Sequence, residues 1–223
     1  MKQRITIDFV SDVACPWCAV GLSSLLLALK QLSDEVDADV TVHPFELNPG
    51  MRAEGEAIVD YLGKKYGRTP EQIAETQAMI RERGAQVGFT FGQRTYVYNT
   101  FDAHRLLHWA RDAGEGKQLA LKLALLQAYH GDGKDPSDHA VLAEAARSVG
   151  LDEVQARALL NSTDRAEAVR EEIAQYQAQG ITSVPSIIFN GRYLISGGQP
   201  VETFVEAIRN IVEKDAEVDH APG

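Results

Sequence analysis

Apolar and polar residues alternate near the start of the chain, from Arg4 to Val10, with Ile5, Ile7 and Phe9 on one side. A period of two predicts a β-strand. Further on, leucines recur every three or four positions until the polar run that begins at Ser33, which is the spacing of a helix. Residues 39–47 then predict a second strand. A strand, a helix and a strand in this order predict a right-handed parallel crossover, which is half of an α/β sheet.

From about residue 55 to residue 179, nearly all of the hydrophobic spacing is helical, and we expect no strand in this region. Thr69-Pro70-Glu71-Gln72 is typical of a helix start, with Thr69 as the N-cap, proline in the first turn and Gln72 at the reciprocal capping position. Asn99 and Thr100 are expected to cap the next helix. Further helices are predicted around residues 119–129, 141–149, 154–160 and 165–179.

Strand signals return near the C-terminus, where 186–189 and 192–195 flank a two-residue Asn190-Gly191 turn that is typical of a hairpin. A last amphipathic helix is predicted over 201–212, followed by a frayed tail over 215–223. The pattern as a whole predicts a discontinuous α/β domain made of residues 1–54 and 180–214. The helical residues 55–179 are expected to form an insertion domain.

Composition and charge narrow the class of protein. With 223 residues, of which 44% are hydrophobic, the chain can bury a full core. A formal net charge of −10 argues against nucleic acid or an acidic membrane surface as the partner, because both would be repelled. The N-terminus lacks a signal-peptide pattern, and no stretch is apolar enough for a membrane span. We therefore expect a cytoplasmic or equivalent reducing location.

The chain has only two cysteines, Cys15 and Cys18, placed where the first strand is predicted to lead into the first helix. In a reducing compartment, a C-x-x-C pair is more often catalytic or metal-binding than a structural disulfide. A structural zinc site needs about four ligands, and no second pair of ligands at short spacing is present. His104 and His108 have the spacing of a metal-binding pair on a helix, but no acidic third ligand accompanies them. We therefore expect no metal.

The position of the cysteines favours thiol chemistry. A helix N-terminus stabilises an anion, so a thiolate is favoured at Cys15, which is the candidate nucleophile. Cys18 lies one turn further along and is the candidate resolving thiol. Pro16 suits the first helical turn and shapes the site, while Trp17 offers apolar surface beside the sulfur or simply packs. The nearby carboxylates Asp8 and Asp12 could accept a proton from Cys18, but a solvated or capping role is an alternative for both. We leave them out of the catalytic set.

The order of elements resembles a thioredoxin fold interrupted by a helical insertion, as in the DsbA-like thiol-disulfide oxidoreductases. Three segments narrow the resemblance to the FrnE branch of that family: Ser11-Asp12 before Cys-Pro-Trp-Cys, Phe45-Glu46-Leu47-Asn48-Pro49, and Asn99-Thr100 followed by Ala103-His104-Arg105-Leu106. Some FrnE-type proteins carry further cysteines in a C-terminal extension, whereas this chain has none after Cys18.

The resemblance implies roles for residues far from the cysteines in sequence. It implies a cis bond between Val184 and Pro185 that faces the cysteine pair, with the Val184 backbone free to pair with a substrate segment. It also places Asn99 and His104 toward the substrate groove. We treat these two as candidate substrate-binding residues.

The resulting expectation is a dithiol-disulfide oxidoreductase or isomerase that acts on protein or small-molecule disulfides as a monomer or homodimer. It needs no bound cofactor, and glutathione is the candidate thiol co-substrate. Two alternatives stay open. One is a glutathione-dependent isomerase or kappa-type glutathione transferase on the same scaffold, and the other is a peptide-binding holdase in which the thiol pair is incidental.

Overall fold

The computed structural model describes residues 2–52 and 54–219. The strands in this part of the chain are β1 (Gln3–Ser11), β2 (Val36–Pro44), β3 (Glu56–Ala57), β4 (Tyr96–Val97), β5 (Ser186–Phe189) and β6 (Tyr193–Ser196). The α-helices are α1 (Pro16–Gln31), α2 (Ile58–Tyr66), α3 (Pro70–Gln86), α4 (Phe101–Ala110), α5 (Lys117–Leu126), α6 (His139–Ser148), α7 (Glu153–Leu160), α8 (Ala166–Ala178) and α9 (Val201–Asp219). A 3₁₀ turn, Arg111–Ala113, follows α4, and a π-helical turn, Gln127–Gly131, follows α5.

The main sheet has the strand order β2-β1-β5-β6. β1 pairs with β2 in parallel through the crossover helix α1, whereas β5 pairs with both β1 and β6 in antiparallel fashion. The tight β5–β6 turn has positive φ angles at Asn190 and Gly191, as the sequence of this turn predicts. The sheet, α1 and α9 share one apolar core, which also contains both cysteines. This arrangement is the predicted thioredoxin fold.

A second apolar core lies within the helical residues between β2 and β5. It is formed mainly by α4, α5, α6 and α7, and it also takes in Val13 and Ala14 from the segment just before the cysteines. The helical core therefore reaches the start of α1. The division of the chain into an α/β domain and a helical insertion domain stays a prediction.

The expectation that residues 55–179 contain no strand is wrong. β3 and β4 form a two-stranded antiparallel sheet in which Glu56 pairs with Val97 and Ala57 with Tyr96. Two residues are too few to show an alternating pattern, so the sequence carries no signal for these strands. The preceding Gly55 has a φ of +71°, and a Cβ there would lie 2.6 Å from the Val97 carbonyl oxygen, so the approach of the two strands requires glycine.

The predicted frayed tail is also wrong as far as Asp219, because α9 continues to that residue. The reason is a set of contacts between Asp215 and the hairpin. Asn190 Nδ2 and the Tyr193 hydroxyl donate to the Asp215 carboxylate at 2.7 and 2.9 Å, and Arg192 Nη2 lies 3.3 Å from it. The last predicted residues, 220–223, lie outside the described part of the chain. Over 2–52 and 54–219, no helix is both long and apolar enough to cross a bilayer.

Candidate active site

Cys15 is the N-cap residue of α1, in extended backbone conformation, and Pro16 follows it in the first turn. Both thiols are free, and Cys18 lies one turn into the helix. The Cys15 side chain is 5% exposed and that of Cys18 is 0% exposed. Both cysteines are therefore buried, and Cys18 lies deeper than Cys15.

The two thiols have pKa values shifted in opposite directions. A hydrogen bond from Cys18 lowers the pKa of Cys15, and the backbone N–H groups of Cys18 and Trp17 act in the same direction against burial and the charge of Asp12. Burial raises the pKa of Cys18 well above its usual range, and its interaction with Cys15 raises it further. The thiolate therefore forms at Cys15, because helix N–H groups favour the anion there.

The loop before β5 faces this helix start. The Val184–Pro185 peptide bond is cis, as the resemblance implies. The Cys15 thiol donates to the Val184 carbonyl over 3.6 Å. Pro185 also packs closely on α1, since a Cβ added at Gly21 would lie 3.0 Å from Pro185 Cγ. The structure thus brings Cys15, Val184 and Pro185 together across about 170 residues of chain.

Asp12 has no exposed surface, and its carboxylate connects three parts of the chain. Oδ1 accepts hydrogen bonds from the Ala14 N–H at 3.0 Å and the Thr100 hydroxyl at 2.7 Å, and Oδ2 accepts from the Leu47 N–H at 2.7 Å. Burial acts to raise the pKa of Asp12, but His104 and the two backbone donors outweigh burial and leave this pKa lowered. Asp12 is therefore a buried carboxylate directly behind the nucleophile, a role that sequence reasoning left out.

Lys122 on α5 is a second residue that sequence reasoning missed. Its side chain has no exposed surface, and among the described residues Nζ has no hydrogen-bond partner. Burial lowers the pKa of Lys122, while Cys18 and Asp12 act to raise it, and in return Lys122 acts to lower the pKa of Cys18. The sequence does carry a signal for this buried lysine. Lys122 lies one helical turn from both Gln118 and Leu126, at a position where the helical pattern predicts an apolar residue.

Both candidate substrate-binding residues use their side chains for contacts within the protein. Asn99 donates from Nδ2 to the Met51 carbonyl at 3.3 Å and accepts from the Phe101 N–H at 2.8 Å, so its side chain caps the start of α4 as predicted. Thr100 occupies the N-cap position, but its side chain bonds Asp12 instead of the helix. His104 is 1% exposed, with Nε2 3.4 Å from Asp12 Oδ1, so it supports Asp12 and is not placed to touch substrate.

His104 and His108 have separate partners, since His108 Nε2 lies 3.7 Å from Glu172 Oε2. Glu172 also contacts His43 Nδ1, and Asp8 Oδ1 lies 2.9 Å from His43 Nε2. Asp8 therefore belongs to this second cluster, through its contact with His43. In the described ranges, no group of three or more histidine, cysteine or acidic side chains is placed to hold a metal ion.

A dithiol at the start of the first crossover helix, facing a cis-proline loop at the edge of β5, defines a thioredoxin-fold protein with a helical insertion. The DSBA-like thioredoxin domain family matches residues 6–209. The chain belongs to this family, and the predicted DsbA-like resemblance is confirmed. Among curated proteins, none matches the chain.

Several solved structures are similar over nearly the whole chain. A probable DsbA oxidoreductase from Streptomyces coelicolor is 30% identical, with a TM-score of 0.86 and coverage of 98% of this chain and 92% of that chain. The cytosolic disulfide reductase DsbM from Pseudomonas aeruginosa, solved with GSH, is 18% identical, with a TM-score of 0.63 and coverage of 93% and 99%. A 2-hydroxychromene-2-carboxylate isomerase is 14% identical, with a TM-score of 0.72 and coverage of 96% and 98%. The last two show likeness of fold alone.

Proposed function

We propose that the chain is a FrnE-type thiol-disulfide oxidoreductase that acts on protein or small-molecule disulfides in a reducing compartment, with glutathione as the thiol co-substrate. The observation that carries this proposal is a pair of free thiols at the start of α1, with Cys15 at the N-cap and its Sγ 3.6 Å from the Val184 carbonyl of the cis-proline loop. The directions of the pKa shifts support it, since the pKa of Cys15 is lowered and that of Cys18 is raised. A nucleophile that ionises first and a resolving thiol that stays protonated until it is needed are what disulfide exchange requires.

In the reducing direction, the Cys15 thiolate attacks one sulfur of the substrate disulfide. A bond forms between Cys15 and that sulfur, and the other half of the substrate leaves as a thiolate. Cys18 then loses its proton and attacks Cys15 Sγ, which releases the second half as a thiolate and leaves a Cys15–Cys18 disulfide. Two electrons pass from the dithiol to the substrate, and the two thiol protons end on the products. Two molecules of glutathione restore the dithiol and become glutathione disulfide.

Other groups near the thiols support particular steps. The Val184 carbonyl, which faces Cys15 Sγ at 3.6 Å, is positioned to accept an N–H from a substrate segment beside the reacting sulfur. The positive charge of Lys122 favours the Cys18 thiolate that the second step needs. Asp12 opposes ionisation of Cys15 and so limits how far the pKa of Cys15 falls. Both Lys122 and Asp12 act through the cysteines and are positioning residues.

Trapping of the mixed disulfide tests the proposal. The variant Cys18→Ala, incubated with glutathione disulfide or a disulfide-bonded peptide, is expected to gain the mass of one substrate half on Cys15. Cys15→Ser, with Cys18 intact, is the matched control and should gain none at neutral pH. Absence of a Cys15 adduct with every disulfide tried contradicts the proposal. Glutathione transfer to an organic acceptor that survives loss of Cys18 would instead support the kappa-type alternative.

A further inference from the structure

A cleft of about 490 Å³ opens beside the cysteine motif. Its lining comes from β3, α2, α3, the segment that leads into β4, the π-helical turn after α5, and the first turn of α1. Besides Pro16 of the motif, the polar lining residues are Gln77, Arg81, Gln93, Arg94, Thr95, Tyr96 and His130. Pro16 is bonded directly to Cys15, so the cleft adjoins the cysteine motif at this residue.

Arg94 is held in place at this cleft. Its Nη1 donates to the Ala14 carbonyl at 3.3 Å and to the Tyr129 hydroxyl at 3.1 Å, and its guanidinium carbon lies 4.9 Å from the centre of the Tyr129 ring. Ala14 immediately precedes Cys15. A guanidinium has five N–H donors, and these two bonds use only one nitrogen. Within the described ranges, no hydrogen bond from Nε or Nη2 of Arg94 is found, so the rest of the preorganised fork can meet a ligand.

The charge of the cleft is opposite to that of the protein. The chain has 32 acidic and 22 basic side chains, yet the cleft contains two arginines and no acidic lining residue. Within residues 2–52 and 54–219, neither Arg81 nor Arg94 forms an ion pair with a carboxylate. Burial and the nearby Arg94 lower the pKa of His130 well below its usual range, so this histidine is neutral and donates from Nε2 to the Val13 carbonyl at 2.8 Å.

Both arginines lie among apolar groups. Ile58, Val59, Ile80 and Phe91 also line the cleft, and Val59 and Tyr96 are among the exposed large hydrophobic residues of the surface. A ligand with a short hydrocarbon stem and a terminal anion matches such a lining, because the stem covers apolar surface while the anion pairs with the guanidinium. Arginine matches a planar carboxylate with two parallel hydrogen bonds.

We propose that this cleft binds a carboxylate carried by the disulfide substrate close to its reacting sulfur, with Arg94 as the main contact and Arg81 as the second. This inference rests on the proposed function and specifies its substrate class. The carboxylate can come from a small thiol such as glutathione or from an acidic residue beside a cystine in a peptide. A substrate anchored at Arg94 presents its sulfur to Cys15 on the Pro16 side of the motif.

Three small symmetrical disulfides of similar length but different charge test this inference: 3,3′-dithiodipropionate, 2-hydroxyethyl disulfide and cystamine. The expected order of kcat/KM is anionic, then neutral, then cationic. In Arg94→Gln, the ratio of anionic to neutral kcat/KM should fall about tenfold, which corresponds to the loss of one charge-assisted hydrogen bond. Arg81→Gln should lower the ratio less. Arg83→Gln removes the same charge from α3 outside the cleft lining and should leave the ratio unchanged.

The outcomes separate the two proposals. If Cys18→Ala forms no Cys15 adduct with any disulfide, the proposed function is wrong and the inference falls with it; if the adduct forms but wild type reduces none of the three small disulfides, only the inference is overturned. If it reduces the neutral disulfide without preferring the anionic one, or if the preference survives in the Arg81→Gln, Arg94→Gln double variant, only the inference is overturned. Two further substrates distinguish the sources of the carboxylate: glutathione disulfide, and a peptide disulfide flanked by Glu or by Gln. The arginine variants should lower kcat/KM only for the substrate whose carboxylate binds in the cleft.

Discussion

Replacement of Lys122 by Met should make the protein more stable and less active. The Nζ atom is fully buried, and no described residue accepts a hydrogen bond from it. Leaving a buried polar group without a partner costs about 1–3 kcal/mol, and methionine removes this cost while it keeps an unbranched side chain. Methionine is about one heavy atom shorter, and the resulting gap costs about 1 kcal/mol. We therefore expect a net gain of about 1 kcal/mol in the free energy of unfolding.

The gain depends on whether Asp12 needs the lysine as a counter-charge. The Asp12 carboxylate already accepts three hydrogen bonds, from Ala14, Leu47 and Thr100, and His104 lies beside it. His104 and the backbone N–H groups of Ala14 and Leu47 are the main causes of its lowered pKa. Loss of the lysine should therefore leave Asp12 ionised and paired.

The loss of activity has a different origin. Lys122 acts to lower the pKa of Cys18, so the variant raises that pKa further and reduces the fraction of Cys18 thiolate. The first attack, by Cys15, should change less than the release of the mixed disulfide. A stopped-flow single turnover at several pH values separates these two steps, and the pH dependence of release should move to higher pH in the variant.

Urea unfolding provides the stability measurement, with Lys117→Met as the matched control. Lys117 lies on the same helix, but its Nζ donates to the Val149 carbonyl at 2.8 Å, so the same substitution there removes a hydrogen bond and should not stabilise. If Lys122→Met lowers the free energy of unfolding as much as Lys117→Met does, the lysine is held by favourable interactions and the reasoning is refuted. An unchanged pH profile of release would refute the role at Cys18.

Two further predictions concern buried charges. Asp12→Asn should leave one buried donor unpaired and destabilise the fold by about 1–3 kcal/mol, and it should lower the pKa of Cys15, because the Asp12 charge acts to raise it. Urea unfolding and the pH dependence of alkylation by iodoacetamide check both effects, and a higher Cys15 pKa would count against the assignment. The pKa of His43 is raised, since hydrogen bonds to Asp8 and Glu172 outweigh the opposing effect of burial. The stabilising contribution of protonated His43 is therefore complete below the unfolded pKa of about 6.5 and is lost as pH rises through the folded pKa. His43→Asn should thus destabilise the protein more at pH 6 than at pH 9, as measured by urea unfolding. An equal effect at both pH values would contradict this.

Elements with local chemical signals could be predicted from the sequence. The Thr69 and Gln72 side chains make both bonds of the predicted capping box, and the Asn190-Gly191 turn has the two positive φ angles that its residues favour. The redox pair belongs to the same group, because Cys15 occupies the helix N-cap that its position before Pro16 indicates. In each case the determining groups lie within a few residues of one another.

Elements fixed by distant contacts could not be predicted in the same way. The second strand was expected over 39–47 but spans Val36–Pro44, because its register follows from pairing Gln3 with Val36 and Ser11 with Pro44. Asp12 accepts hydrogen bonds from Leu47 and Thr100, which are distant in sequence. Arg94 is held by a hydrogen bond to the carbonyl of Ala14, which lies 80 positions away. No local pattern carries this information.

One face of α5 explains why the helical residues matter for the thiol chemistry. Gln118 makes two hydrogen bonds with the Val42 backbone of β2, at 2.9 and 2.8 Å. Lys122 follows one turn later, Leu126 then packs in the core that contains both cysteines, and His130 donates to the Val13 carbonyl just before them. Because residues four apart share a helix face, this face of α5, together with His130 in the π-helical turn that follows, connects the sheet, the resolving thiol and the loop that leads into the nucleophile. The residues between β2 and β5 thus supply both the charge beside Cys18 and the support for the Cys15 backbone, so a shift of α5 would alter both thiols together.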